Sequence, residues 1–178
     1  MVETEWFWVT KDREALGIKG TKNLSQKRFP YFMDREAFDT IEDGTAFYQH
    51  EDRGEYSDIL FEPTFMFSDR FQRIFSYLEP EMEFKSLHLI DQSKREKAPV
   101  PLYWIPFLSY TDAIHENSSV VQGKAERLVL RKKAMEGRRI VHCRLPADDI
   151  WLFSLEAAEC ILRRSPLGIL LKKIETVL

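Results

Sequence analysis

The chain is poor in the residues that interrupt or staple structure. Seven glycines and eight prolines in 178 residues exclude collagen-like and low-complexity classes. Two cysteines, Cys143 and Cys160, with no Cys-x-x-Cys, exclude a disulfide scaffold and the common zinc frameworks. The four histidines, His50, His88, His115 and His142, match no zinc spacing either. No apolar run approaches the roughly 18 residues of a spanning helix, so no membrane contact is expected. The opening Met1-Val2-Glu3-Thr4-Glu5-Trp6 lacks the basic and apolar regions of a secretory signal. The expectation is a cytoplasmic protein with both thiols reduced. Neither a Gly-x-Gly-x-x-Gly nor a Walker-type loop occurs, so no phosphate cradle and no cofactor are expected.

What is present is a large apolar and aromatic stock. Apolar residues make up 44%, and 13 Phe, 6 Tyr and 4 Trp raise the aromatic share to 13%. Disordered chains lack such residues, and this length fits a single domain over 1–178. The formal charge is −3, unevenly spread. From Asp34 to Glu62, ten carboxylates face only Arg35 and Arg53, a net charge of −8. From Lys124 to Arg144, eight basic side chains face Glu126 and Glu136, a net charge of +6.

Periodicity places the elements. Trp6 to Val9 is β-prone and reads as an opening strand, with Trp6 and Trp8 on one face. Asp34 to Ile41 reads as a short helix or turn, Ile59–Phe61 and Phe65–Phe67 as two strand pieces, and Phe84–Ile90 as a strand. Phe71, Ile74, Phe75 and Leu78 recur at helical spacing, predicting a helix over Ser68–Leu78 with Ser68 as its cap. Ser154 opens a second helix to Arg164, with Ala157, Cys160 and Ile161 on its stripe. Phe65-Met66-Phe67-Ser68 and Trp151-Leu152-Phe153-Ser154 echo each other, which predicts two strand–helix units sharing one sheet. Pro101 and Pro106 make Val100–Leu108 an edge strand or an irregular segment. Arg127–Lys132 and Arg138–Leu145, separated by a Gly137 turn, read as an antiparallel hairpin, and Gly168–Ile174 as the closing strand. Few helices and many strands predict an α+β fold: a mostly antiparallel sheet with two principal amphipathic helices.

Candidate chemistry is thin. His142 and Cys143 are adjacent, but neighbours on a strand face opposite sides, so they do not form a nucleophile–base pair. Cys160 belongs to a helix stripe. Asp148/Asp149 and Asp43/Asp52 are carboxylate pairs that nothing brings to a common pocket. An enzymatic alternative would assemble His142, His88 and Asp148/Asp149. A regulatory alternative would apply Lys124–Arg144 to nucleic acid, against the net negative charge.

Several features together carry a resemblance. Leu128-Val129-Leu130, the Gly137 turn and Ile140–Arg144 are followed by the acidic pair Asp148-Asp149. Ile150-Trp151-Leu152-Phe153-Ser154, its helix and Leu167-Gly168-Ile169-Leu170 close the pattern. Phe65–Ser68 and Trp6–Val9 supply matching upstream elements. The pattern resembles the immunity proteins of bacterial polymorphic toxin systems, best over 65–175, and leaves residues 10–60 unmatched. The resemblance implies a non-enzymatic protein that binds a cognate toxin domain and occludes it, with no catalytic residues. A homo-oligomer is left open. Since many toxins that act on nucleic acid are basic, Asp39, Glu42, Asp43, Glu51, Asp52 and Glu55 are the expected docking residues. Tyr103 and Trp104 are the aromatic candidates.

Overall fold

The computed structural model describes residues 5–14, 19–20, 30, 32–49, 56–91 and 100–177. Two mixed, mainly antiparallel sheets dominate it. The first has five strands: β1 (Trp6–Lys11), β10 (Val129–Arg131), β11 (Ile140–Leu145), β12 (Asp148–Ser154) and β13 (Ile169–Val177), in the order β10-β13-β1-β12-β11. The second has six: β2 (Lys19–Gly20), β3 (Gly44–Gln49), β4 (Ile59–Leu60), β5 (Met66–Ser68), β6 (Glu83–Asp91) and β7 (Leu102–Phe107), in the order β2-β3-β6-β7-β5-β4. A small hairpin, β8 (Ser119–Val121) with β9 (Lys124–Arg127), stands apart. The helices are α1 (Arg35–Thr40), α2 (Asp69–Leu78) and α3 (Leu155–Leu162), with a 3-10 turn at Lys132–Met135. The α+β class expected from the pattern is the one observed.

The two predicted helices form where their stripes lie, and Phe71, Phe75, Leu78 and Ile161 are buried. Their caps differ. The Ser154 hydroxyl accepts from Ala157 N at 3.3 Å, an ordinary N-cap. Ser68 occupies the cap position without capping; its hydroxyl donates to Asp58 Oδ1 at 2.8 Å instead. Asp58 also receives Arg70 Nε at 3.1 Å and the Leu167 amide at 3.0 Å. This buried carboxylate thereby ties the helix to the approach to β13.

The two echoing strand–helix units do not share a sheet. β5–α2 belongs to the six-stranded sheet and β12–α3 to the five-stranded one. Each helix must bury its stripe, and the two helices do so against each other and both sheets, in a core holding Phe67, Phe71, Phe75, Ile140, Trp151, Phe153 and Ile161. Phe75 joins the halves: it stacks on Phe67 at 4.1 Å and meets Phe153 edge-on at 5.8 Å. Two satellite cores cover the outer faces. Met33, Phe38 and Ile41, around α1, cover the six-stranded sheet. Ala113, Leu128, Leu130 and Met135 cover the five-stranded one.

Two strand expectations are corrected. β7 is interior, paired with β6 on one side and β5 on the other. Pro101 precedes the strand, and Pro106 within it is tolerated because β5 reaches only Tyr103 and Trp104, so at Pro106 the strand pairs with β6 alone. Arg127–Lys132 and Arg138–Leu145 are not a hairpin. β10 runs parallel to β13 and β11 antiparallel to β12, at opposite edges of the sheet. The 3-10 turn between them buries Met135 and carries the chain across. Alternation shows which face of a strand is buried, not which strand lies beside it.

Candidate functional site

The acidic surface is built on α1. Asp34 caps it, accepting from Ala37 N at 2.8 Å, and Phe38 turns inward to stack on Phe107 at 5.2 Å. That burial leaves Asp34, Glu36 and Asp39 facing out. Asp39 pairs with Arg35 at 2.9 Å. Arg35 also reaches Glu83, and Lys85 donates to Phe38 O at 2.8 Å at the carbonyl end of the helix. Glu42 is exposed. Asp43 anchors the turn into β3, accepting from the Ser86 amide at 2.8 Å and its hydroxyl at 3.1 Å. Asp39, Glu42 and Asp43 are thus all exposed, at the end of α1 and in the turn after it. Glu51, Asp52 and Glu55 lie outside the described residues.

The aromatic candidates part company because β7 alternates. Tyr103 faces the α1 side and is 1% exposed, its hydroxyl donating to Ser57 O at 2.6 Å. Burial raises the Tyr103 phenol above its ordinary range. At that exposure it offers a partner no surface. Trp104 faces the helices, half-buried, and its indole donates to Asp69 Oδ1 at 2.8 Å in the first turn of α2.

A buried polar network on the five-stranded sheet was not foreseen. His142 is fully buried; Nδ1 lies 2.8 Å from Leu108 O and Nε2 2.9 Å from Asp149 Oδ1. Tyr110 donates to the same carboxylate oxygen at 3.1 Å. Each ring nitrogen thus faces an oxygen, one a backbone carbonyl and one a carboxylate. The ring stacks on Trp151 at 4.0 Å, and Trp151 stacks on Phe65 at 4.6 Å. Burial raises the Tyr110 phenol, with the Asp149 charge adding to it. Only the register of β11 against β12 brings these groups together, so no local spacing announces them.

The enzymatic alternative is assembled only in part: His142 meets Asp149, and, against expectation, Asp148 and Asp149 line one cleft, but the other groups it needs lie apart. Cys143 faces the opposite side of β11 from His142, in the satellite core, as alternation requires. Burial pushes its thiol up to about 12, so it is no thiolate at neutral pH. His88 is exposed on β6 of the other sheet, away from the His142 strand. Among the described residues, no group of three or more His, Cys, Asp or Glu side chains could hold a metal ion. The basic segment is divided between the separate β8–β9 hairpin and the two edges of the five-stranded sheet. There Arg127 pairs with Glu175, Arg131 with Asp112, Arg139 with Glu156 and Arg144 with Asp34. It forms no single basic stripe.

Residues 3–143 match the family model described as Immunity protein family (Imm11). The chain belongs to the Imm11 immunity protein family. No curated protein matches the chain. The family match begins earlier than the resemblance read from the sequence: it takes in residues 10–60 and ends inside β11. Its span therefore includes α1, Asp39, Glu42, Asp43, Tyr103 and Trp104, and of the buried network it includes Tyr110 and His142. For this Imm11 member, membership points to toxin neutralisation and to a protein as partner. Immunity families are in general non-enzymatic.

Proposed function

We propose that this protein neutralises a cognate toxin by binding its active domain and covering it, with no chemical step of its own. The observation that carries the reading is the family match over residues 3–143. The α1 surface supports a specific form of it. Asp34, Glu36, Asp39, Glu42 and Asp43 lie within ten residues, all exposed, on an element that buries little besides Phe38. A basic toxin domain would be drawn to such a face, and its encounter would slow as salt screens the field. The binding residues proposed are Asp39, Glu42 and Asp43, together with Glu51, Asp52 and Glu55; Trp104 lies on the opposite face of β7 and is not part of this surface.

The test is co-expression and co-purification with the product of the neighbouring toxin gene. Rescue of growth together with a stable complex is expected; failure of both overturns the reading. Asp39→Lys with Glu42→Lys leaves the Asp43 anchor intact. It should slow association about threefold to tenfold at low salt, and little at high salt. An unchanged association rate removes α1 from the interface while leaving neutralisation standing.

A further inference from the structure

β1 and β12 part company at one end. They are paired as far as Val9 opposite Trp151, although both strands continue, β1 through Lys11 and β12 from Asp148. The ladder alternates. Leu155 N bonds Glu5 O on one side of β12, and Ser154 N bonds Arg139 O on the other. Odd-numbered residues of β12 therefore turn their backbone groups to β1, and Lys11 against Asp149 is the rung that is not made. A cleft of about 160 Å³ occupies that gap, lined by Trp8, Thr10, Lys11, Phe65, Asp148 and Trp151, among others.

The lining asks for a particular occupant. Trp151 is 1% exposed, and its indole Nε1 is the buried side-chain polar atom, among the described residues, that finds no hydrogen-bond partner. A buried donor without an acceptor is unfavourable, so an acceptor brought there is favoured. Asp149 is hydrogen-bonded to His142, and Lys11 pairs with Glu62 at 3.5 Å. Asp148 is half-buried, accepts a long hydrogen bond of 3.3 Å from the Ala125 amide, and has Lys124 as a nearby cation. The remaining walls, Trp8, Phe61 and Phe65, are aromatic faces. A free cation would answer only the carboxylate, and an apolar ligand would leave the indole without an acceptor. An extended peptide offers carbonyls to the indole on one face of the sheet and backbone groups to the parted strands, and a basic side chain on its other face meets Asp148 on the side of Trp8.

We propose that the split between β1 and β12 is a docking notch for an extended segment of a protein partner, one that inserts an arginine or lysine beside Asp148. It rests on the immunity reading only for the partner's identity; the notch itself is tested without the toxin.

The experiment titrates the ¹⁵N-labelled full chain with acetyl-Val-Arg-Val-amide and, separately, with acetyl-Val-Glu-Val-amide. The readout is the Trp151 indole N–H resonance, assigned through its contacts with Phe65 and His142. The arginine peptide is expected to shift that resonance saturably in the millimolar range, and the glutamate peptide at least about tenfold more weakly. Asp148→Asn should weaken the arginine peptide about tenfold. The wild-type comparison of the two peptides decides the matter even if that variant folds poorly. Equal responses to both peptides, or a Trp151 resonance that does not move, overturn the notch. Failure of the toxin to co-purify, with the peptide response intact, would overturn the neutralising role and not the notch.

Discussion

Gly168 is the position at which a single methyl group should do the most damage. It stands where the two sheets are sewn together. Asp58 N and Ile59 N both donate to Leu167 O, Asp12 N donates to Gly168 O, and Leu167 N donates to Asp58. Its φ of +101° suits glycine. A Cβ built there would lie 2.5 Å from Ile59 O and 2.9 Å from Ser57 Cβ. Neither neighbour can step aside, because Ile59 is held in β4 and its amide is bonded to the loop it would have to leave. Gly168→Ala therefore carries a backbone penalty of about 1–2 kcal/mol and a packing penalty of about 1–3 kcal/mol. Gly137 is the internal control: its φ is +77°, and a Cβ there meets nothing within 4 Å. Gly137→Ala carries the backbone penalty alone, about 1 kcal/mol. Urea unfolding followed by far-UV circular dichroism measures both. At about 2–4 °C per kcal/mol for a chain of this size, Gly168→Ala should also lower Tm by roughly 5–15 °C. If Gly168→Ala costs no more than Gly137→Ala, the claim that the two sheets meet rigidly at this residue is wrong.

Phe75→Ala should cost about 3–5 kcal/mol by the same unfolding assay, because the ring contacts both strand–helix units; a cost under about 1 kcal/mol would refute that bridging role. Stability should fall as pH rises above about 9. The Cys143 thiol ionises in the unfolded chain near its ordinary value while the folded thiol stays protonated to about 12, so the unfolded state releases its proton first. Cys143→Ala should remove the first part of that alkaline limb, below the ordinary phenol range, leaving the steeper loss at higher pH from the raised Tyr103 and Tyr110 phenols. Burial raises the Asp148 carboxyl, so stability falls as pH rises from its ordinary value through the raised folded one, and the cost is complete above that. Asp148→Asn should then match or exceed wild-type stability at pH 7, and its advantage should vanish in acid below both values; a loss at pH 7 would contradict the sign. With a thiol reagent at neutral pH, partly exposed Cys160 should label first and Cys143 only on unfolding, read by mass spectrometry.

Part of the candidate surface is legible from composition. The excess of carboxylates around α1 is visible in the residue counts, and a short helix that buries one Phe must leave its acids outside. Tyr103 and Trp104 show the limit of that reading. They are neighbours of one aromatic type, yet alternation sends one into the core and leaves the other half-buried at the start of α2. The buried carboxylates Asp58 and Glu79 escape sequence reading altogether. Glu79 reads as a helix terminator before Pro80, yet its side chain accepts from the amides of Arg139 and Ile140 at 2.6 and 2.8 Å. Nothing within a few residues of either foretells partners 60 or 109 positions away.

Local chemistry by itself determined the helices, most strand spans, the α+β class, and the opposite orientations of His142 and Cys143. Each follows from backbone periods of 3.6 and 2, which the side-chain order expresses directly. Only the tertiary structure decided which strands are neighbours. It put β10 beside β13 rather than β11, parted the two echoing units into two sheets, made β7 an interior strand, and brought His142, Asp149 and Tyr110 together. Half-buried strands present similar faces, so their pairing is settled by how all the apolar faces are covered at once. That is a property of the whole chain, and no window of it holds the answer.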